Sequence, residues 1–114
     1  MLFQPHSTPL VRGVFVTCYI PLKETMNTST LMEIYADAYG DSPFVRLQEG
    51  SPNVNWTKGS NFIDIGVQCE GAMAIVFGAV DNLIKGGAGQ GVQCLNVMCG
   101  FDEAAGLKLV PAMP

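Results

Sequence analysis

Phe62-Ile63-Asp64-Ile65-Gly66-Val67-Gln68-Cys69-Glu70-Gly71-Ala72-Met73-Ala74-Ile75-Val76-Phe77-Gly78-Ala79-Val80 decides the fold. β-Branched and aromatic residues dominate both halves of this stretch, and Gly71 divides them. Such residues suit a pleated, half-buried surface, and a glycine between two apolar runs is a hairpin signal. The reading is a strand over 62–70 hinged into a second strand over 73–80. Asp81-Asn82 breaks the second strand. Beyond it, apolar residues at 84, 88, 92, 95 and 99 recur on one helical face, and Gly100 stops the run, which predicts a helix over 85–99.

Upstream, Trp56 to Asn61 reads as a loop into the hairpin. Phe44 to Leu47 is a short strand, entered from the turn Asp41-Ser42-Pro43 and ended by Gly50-Ser51-Pro52. Asn27-Thr28-Ser29 offers capping side chains to a helix over 29–39, where Leu31, Ile34, Tyr35 and Ala38 share a face and Gly40 closes the run. Val11 to Ile20 is a strand closed by Pro21. The order β-α-β-β-β-α predicts a single α+β domain. Its strands (11–20, 44–47, 62–70 and 73–80) form one mixed, mostly antiparallel sheet, with the helices against one face.

The chain has 114 residues, 48% hydrophobic and only 14% charged, where globular proteins average about 25% charged. A disordered chain needs the opposite balance. A charge-poor surface implies that part of it is covered, here by self-association through the sheet. The formal charge is −4 with no Lys/Arg cluster, which argues against nucleic acid as a partner. The longest strongly apolar stretch, Ala72 to Val80, is far short of a membrane span. The first residues lack the pattern of a signal peptide, so the expectation is a cytoplasmic chain with Cys18, Cys69, Cys94 and Cys99 reduced. No Cys/His spacing suggests a metal.

Gly86, Gly87, Gly89 and Gly91 crowd the start of the last helix. Each costs about 1 kcal/mol relative to alanine, and close approach of another backbone or of a ligand is the usual compensation. Tight helix packing and a bound cofactor both satisfy that reasoning. The spacing is G-x-x-G-x-G, not the dinucleotide fingerprint G-x-G-x-x-G, and no phosphate-loop motif is present. Asn82, at a strand-to-helix junction, is either a ligand contact or a cap. Lys85 is either a site residue or a solvated surface cation. His6, the single histidine, has no partner for catalysis by spacing. Arg12 and Arg46 sit in strand-like apolar surroundings, each fitted to clamp an anion or to make a structural ion pair.

Several stretches resemble one family, N-acetyl-gamma-glutamyl-phosphate reductase. They are Phe3-Gln4-Pro5-His6 leading to Val11-Arg12-Gly13-Val14, Pro43-Phe44-Val45-Arg46-Leu47, and Gly59-Ser60-Asn61-Phe62-Ile63-Asp64-Ile65-Gly66. The most specific is Val80-Asp81-Asn82-Leu83-Ile84-Lys85-Gly86-Gly87-Ala88-Gly89-Gln90-Gly91-Val92-Gln93, continued by Asn96, Gly100, Glu103, Gly106 and Leu107. The resemblance implies part of a glyceraldehyde-3-phosphate dehydrogenase-like C-terminal domain, the last third of an enzyme of arginine biosynthesis. That enzyme captures an acyl phosphate as a thioester and reduces it with NADPH to a semialdehyde.

By the same resemblance the Rossmann domain, the nucleophilic cysteine and the acid/base histidine lie upstream. None of the four cysteines here matches the nucleophile motif, and His6 matches the Pro-His pair, so this chain alone is expected to be inactive. The resemblance further implies cofactor contacts from Asn82, Lys85 and Gly86, and places His6 and Arg12 near the substrate. It implies a homodimer formed through the sheet, and a last helix docked against the nucleotide domain, where a valine at Gly87 would disturb the fit. The competing expectation is a stand-alone oligomerisation or protein-interaction module that has kept the sheet and lost the chemistry.

Overall fold

The computed structural model describes residues 8–111. Its elements are β1 (Val14–Pro21), α1 (Thr28–Tyr39), β2 (Val45–Glu49), β3 (Ile63–Glu70), β4 (Met73–Val80) and α2 (Gly89–Cys99). A 3-10 turn, Val54–Trp56, precedes β3, and a π-helical turn, Ile84–Ala88, precedes α2. The four strands form one sheet in the order β1-β4-β3-β2. β1–β4 and β3–β4 are antiparallel and β2–β3 is parallel. This is the mixed, mostly antiparallel α+β arrangement that the patterning predicts.

β3 and β4 pair as a two-residue hairpin closing at Glu70 and Met73, with Gly71 at φ +59°. A positive φ at the first turn position matches the right-handed twist of the flanking strands. β1 begins at Val14 and not at Val11, because Gly13 takes φ +114° and breaks the extended run before the ladder with Val80 begins. A side chain at Gly13 would also collide with Val54.

Asn27 caps α1, its Oδ1 accepting from the Thr30 N–H at 2.7 Å. The helix buries Leu31 against Val67 and Ala74, flanked by Met32, Tyr35 and Ile65. Full burial of such a leucine contributes about 1.5–3 kcal/mol. The Thr28 hydroxyl accepts from the Cys69 N–H at 3.0 Å and joins this helix to β3. A second small cluster, Phe44, Ala104 and Leu107 with Phe62 against them, closes the opposite end of the sheet.

The core is thin. β1 is exposed along its whole length, and more large apolar side chains are exposed than buried. The radius of gyration is 15.1 Å, where a compact domain of this length has about 13 Å.

Candidate functional site

The strand directions bring the start of β1, the start of β3 and the end of β4 to one end of the sheet, since Val14 and Ile63 both pair with Val80. Asp81 sits there with no exposure. Its Oδ1 accepts from the Arg12 guanidinium at 2.8 Å and from the N–H groups of Leu83 at 2.9 Å and Ile84 at 2.7 Å, while Oδ2 accepts from the Gly59 N–H at 2.8 Å. Burial raises a carboxyl pKa, but here the hydrogen bonds from Gly59, Ile84, Arg12 and Leu83 outweigh it and hold Asp81 at about 2. One buried carboxylate therefore ties three segments of the chain together. Asp81 was legible only as a strand breaker; its partner Arg12 lies far away in sequence.

Asn82 stands beside this clasp, half-buried, and its Oδ1 accepts from the Gly13 N–H at 2.8 Å. Its Nδ2 meets no acceptor among the described residues. The chain then turns through Ile84–Ala88 by wide bonds, Gly86 N–H to the Asp81 carbonyl at 2.8 Å and Ala88 N–H to the Leu83 carbonyl at 2.9 Å. π-Turns of this kind are frequent at functional sites. The single helix expected over 85–99 is thus two pieces, interrupted at Gly87.

The four glycines of this segment do different jobs. A Cβ on Gly86 would lie 3.0 Å from the Asp81 carbonyl oxygen, and one on Gly89 would collide with Asn61 Oδ1. On Gly87 it would make only an ordinary 3.5 Å contact, and on Gly91 it would meet nothing within 4 Å. Close approach within this chain accounts for Gly86 and Gly89 and leaves Gly87 and Gly91 unexplained.

Behind the turn lies a polar relay that sequence spacing does not reveal. Gln93 Oε1 accepts from buried Asn61 Nδ2 at 2.9 Å and from Lys85 Nζ at 2.6 Å, and Gln93 Nε2 donates to Glu103 at 2.6 Å. Lys85 is partly covered, its ammonium 5.6 Å from the Phe44 ring centroid. Burial pushes its pKa down, opposed by Glu103 and Cys94. The inward residues of α2 are accordingly Gly89 and Asn96, with Gln93 half-buried between them. Val92, Leu95 and Cys99 of the apolar stripe face outward and are exposed, together with Val97, Met98 and the following Phe101.

Of the other residues singled out from sequence, Arg46 pairs in a bidentate manner with Asp64 and donates to the Trp56 carbonyl at 2.9 Å, a structural ion pair. Arg12 makes its pair with Asp81. Cys18, Cys69, Cys94 and Cys99 are all free. His6 lies outside the described residues. Among the described residues, no helix is long and apolar enough to cross a membrane.

A family model described as the dimerisation domain of semialdehyde dehydrogenase matches residues 1–82. The chain is 41% identical to the N-acetyl-gamma-glutamyl-phosphate reductase of Methanosarcina barkeri and 43% identical to that of Methanosarcina acetivorans, each over 98% of its length. It is 42% identical to the Streptococcus mutans reductase over 96% of its length. These alignments cover 34%, 34% and 33% of the relatives, in their C-terminal part. The chain therefore spans about a third of the length of the curated relatives it matches.

Proposed function

The chain belongs to the semialdehyde dehydrogenase dimerisation-domain family, and from that premise we propose that it is the C-terminal portion of an NADPH-dependent N-acetyl-gamma-glutamyl-phosphate reductase of the cytoplasm. The observation that carries this reading is identity sustained along nearly the whole chain to the last third of enzymes of that name. The nucleotide-binding domain, nucleophile and acid/base histidine then belong to the rest of the enzyme. The segment alone lacks the positioned groups that covalent catalysis and proximity require, so it is inactive by itself.

The donor set at the sheet end suits a nicotinamide. An amide N–H2 with no acceptor among the described residues stands beside a glycine turn, and a carboxamide offers a carbonyl to such a donor. NADPH, when bound, supplies the hydride. Asn82 and Gly86 would hold the nicotinamide end, and Lys85 would steady the turn through its bond to Gln93. Arg12 and His6 belong on the substrate side of the same end.

Two uncovered surfaces support an incomplete assembly. The outward stripe of α2, with Leu95, Val97, Met98 and Phe101 exposed, suits docking against the nucleotide domain. The exposed flanks of β1 suit a second copy of the sheet in a homodimer. The direct test is fragment complementation. The 114-residue chain is mixed with the N-terminal two-thirds of the Methanosarcina barkeri reductase, and NADPH oxidation with the acyl phosphate is followed. Activity is expected only in the mixture. Turnover by the chain alone, or none after a stable complex has formed, overturns the reading.

A further inference from the structure

Gln93 is held by partners that fix which way its amide faces. Its Oε1 lies 2.6 Å from Lys85 Nζ, and its Nε2 lies 2.6 Å from Glu103 Oε1. An ammonium can only donate and a carboxylate can only accept. Turned over, the amide would set two donors together at Lys85 and two acceptors together at Glu103. Gln93 in turn fixes buried Asn61, whose Nδ2 donates to the same oxygen at 2.9 Å. The Asn61 Oδ1 is thereby left with no partner among the described residues. One side chain thus joins the loop entering β3, the π-helical turn and the loop after α2.

Lys85 is the second residue of that turn, Ile84–Ala88, and Gly86 follows it. We propose that Gln93, set in its orientation by Glu103, is a positioning residue of the reductase. It holds Lys85, and through Lys85 it holds the turn that follows Asn82 and presents Gly86. Neither Gln93 nor Glu103 has to touch the cofactor for this. The inference rests on the reading that this turn meets the nicotinamide.

A charge exchange tests it, by NADPH kinetics over a pH series on a complete reductase carrying this segment, each variant set against wild type at the same pH. In Gln93→Glu the new carboxylate still accepts from Asn61 and Lys85, but it faces the Glu103 carboxylate with no proton between them. The ionisable groups around it are Lys85 on the turn, Glu103 on the following loop and the Cys94 thiol on α2. Two adjacent carboxylates raise the pKa of one of the pair, and Lys85 opposes part of that rise. Above neutral pH the KM for NADPH should therefore increase about tenfold, the scale of a lost charge-assisted bond. The defect should shrink as pH falls, when a proton shared by the two carboxyls restores the missing donor.

Adding Glu103→Gln to Gln93→Glu moves the amide to the other side, where its N–H2 can donate to the new carboxylate. The KM should return to within about threefold of wild type and lose its pH dependence. A Gln93→Glu enzyme with no defect, with a defect independent of pH, or with one that the second substitution does not relieve overturns the inference. Loss of folded enzyme would lower kcat at unchanged KM, and that pattern overturns it too. Should Gln93→Glu alone fail to fold, the double variant decides: a folded enzyme with near wild-type KM supports the relay, and one that stays unfolded or keeps a raised KM removes it. Asn82→Leu checks the underlying reading. An unchanged NADPH KM there takes the turn out of the cofactor site and the inference falls with it, whereas a raised KM beside an unaffected Gln93→Glu sinks the relay alone.

Discussion

Gly89 lies against Asn61 with no room for a side chain: a Cβ there would collide with the Asn61 Oδ1 and stand 2.8 Å from the Ile84 carbonyl oxygen. Asn61 is fully buried, and that Oδ1 has no hydrogen-bond partner among the described residues. The start of α2 is thus seated against the loop that enters β3 by a contact between a bare backbone and a buried amide.

Gly89→Ala should therefore destabilise the chain by about 1–3 kcal/mol, the cost of overpacking, even though alanine favours a helix. Gly91→Ala, with nothing within 4 Å of its Cβ, should stabilise by about 0.5–1 kcal/mol. Urea denaturation of the two variants checks the pair, and equal responses would remove the close-approach explanation.

Asp81 makes stability depend on acid. Its pKa falls from 3.8 unfolded to about 2 folded, so the folded state binds protons less readily. The associated stability, about 2 kcal/mol, is fully present above the unfolded value and is lost as pH falls through about 4 to 2. Asp81→Asn should lose about 2–3 kcal/mol at neutral pH, since Arg12 and the three N–H donors lose a charged acceptor. It should also show a flatter decline over that acid window. Denaturation midpoints at several pH values measure both effects.

Met98 is 83% exposed on the outward face of α2. Met98→Glu should leave the stability of this chain within about 0.5 kcal/mol of wild type, as an uncovered surface position does. The same change should weaken association with the reductase N-terminal two-thirds about tenfold or more. Calorimetric titration compares the two chains, and unchanged affinity would exclude this face from docking.

Tyr19, 68% exposed on β1, probes self-association. Sedimentation equilibrium should show the chain forming dimers, with Tyr19→Lys shifting the balance to monomer. A wild-type chain that stays monomeric at high concentration would count against the sheet as its interface.

Most of the fold was legible because its signals are local. β4 matches 73–80, β3 and α1 match within a residue, and the Gly71 hairpin forms where the alternating runs meet. The start of β1 was misjudged because Val11 and Arg12 have strand character, whereas the break is made by a φ at Gly13 that composition does not reveal. The last helix was misjudged for a different reason. Its apolar period is real, but the buried side is Gly89 and Asn96, with Gln93 between them, chosen by Asn61 and the Glu103 loop. Those partners lie far off in sequence or outside the helix, where periodicity carries no information. The same limit hid Asp81 as the hub of the site.

The sheet order also sets a timetable for synthesis. Among the described strands β1 is made first, and the one it pairs with there, β4, is made last. At ribosomal speeds of about 5–20 residues per second, Val14–Pro21 waits roughly 3–10 s for Met73 to follow it. During that interval an uncharged run, Val-Phe-Val-Thr-Cys-Tyr-Ile, lacks the ladder that β4 gives it among the described strands, the condition under which nascent strands seek partners in other chains. Cooler growth or chaperone supply should therefore govern the yield of this polypeptide more than any change in its final stability.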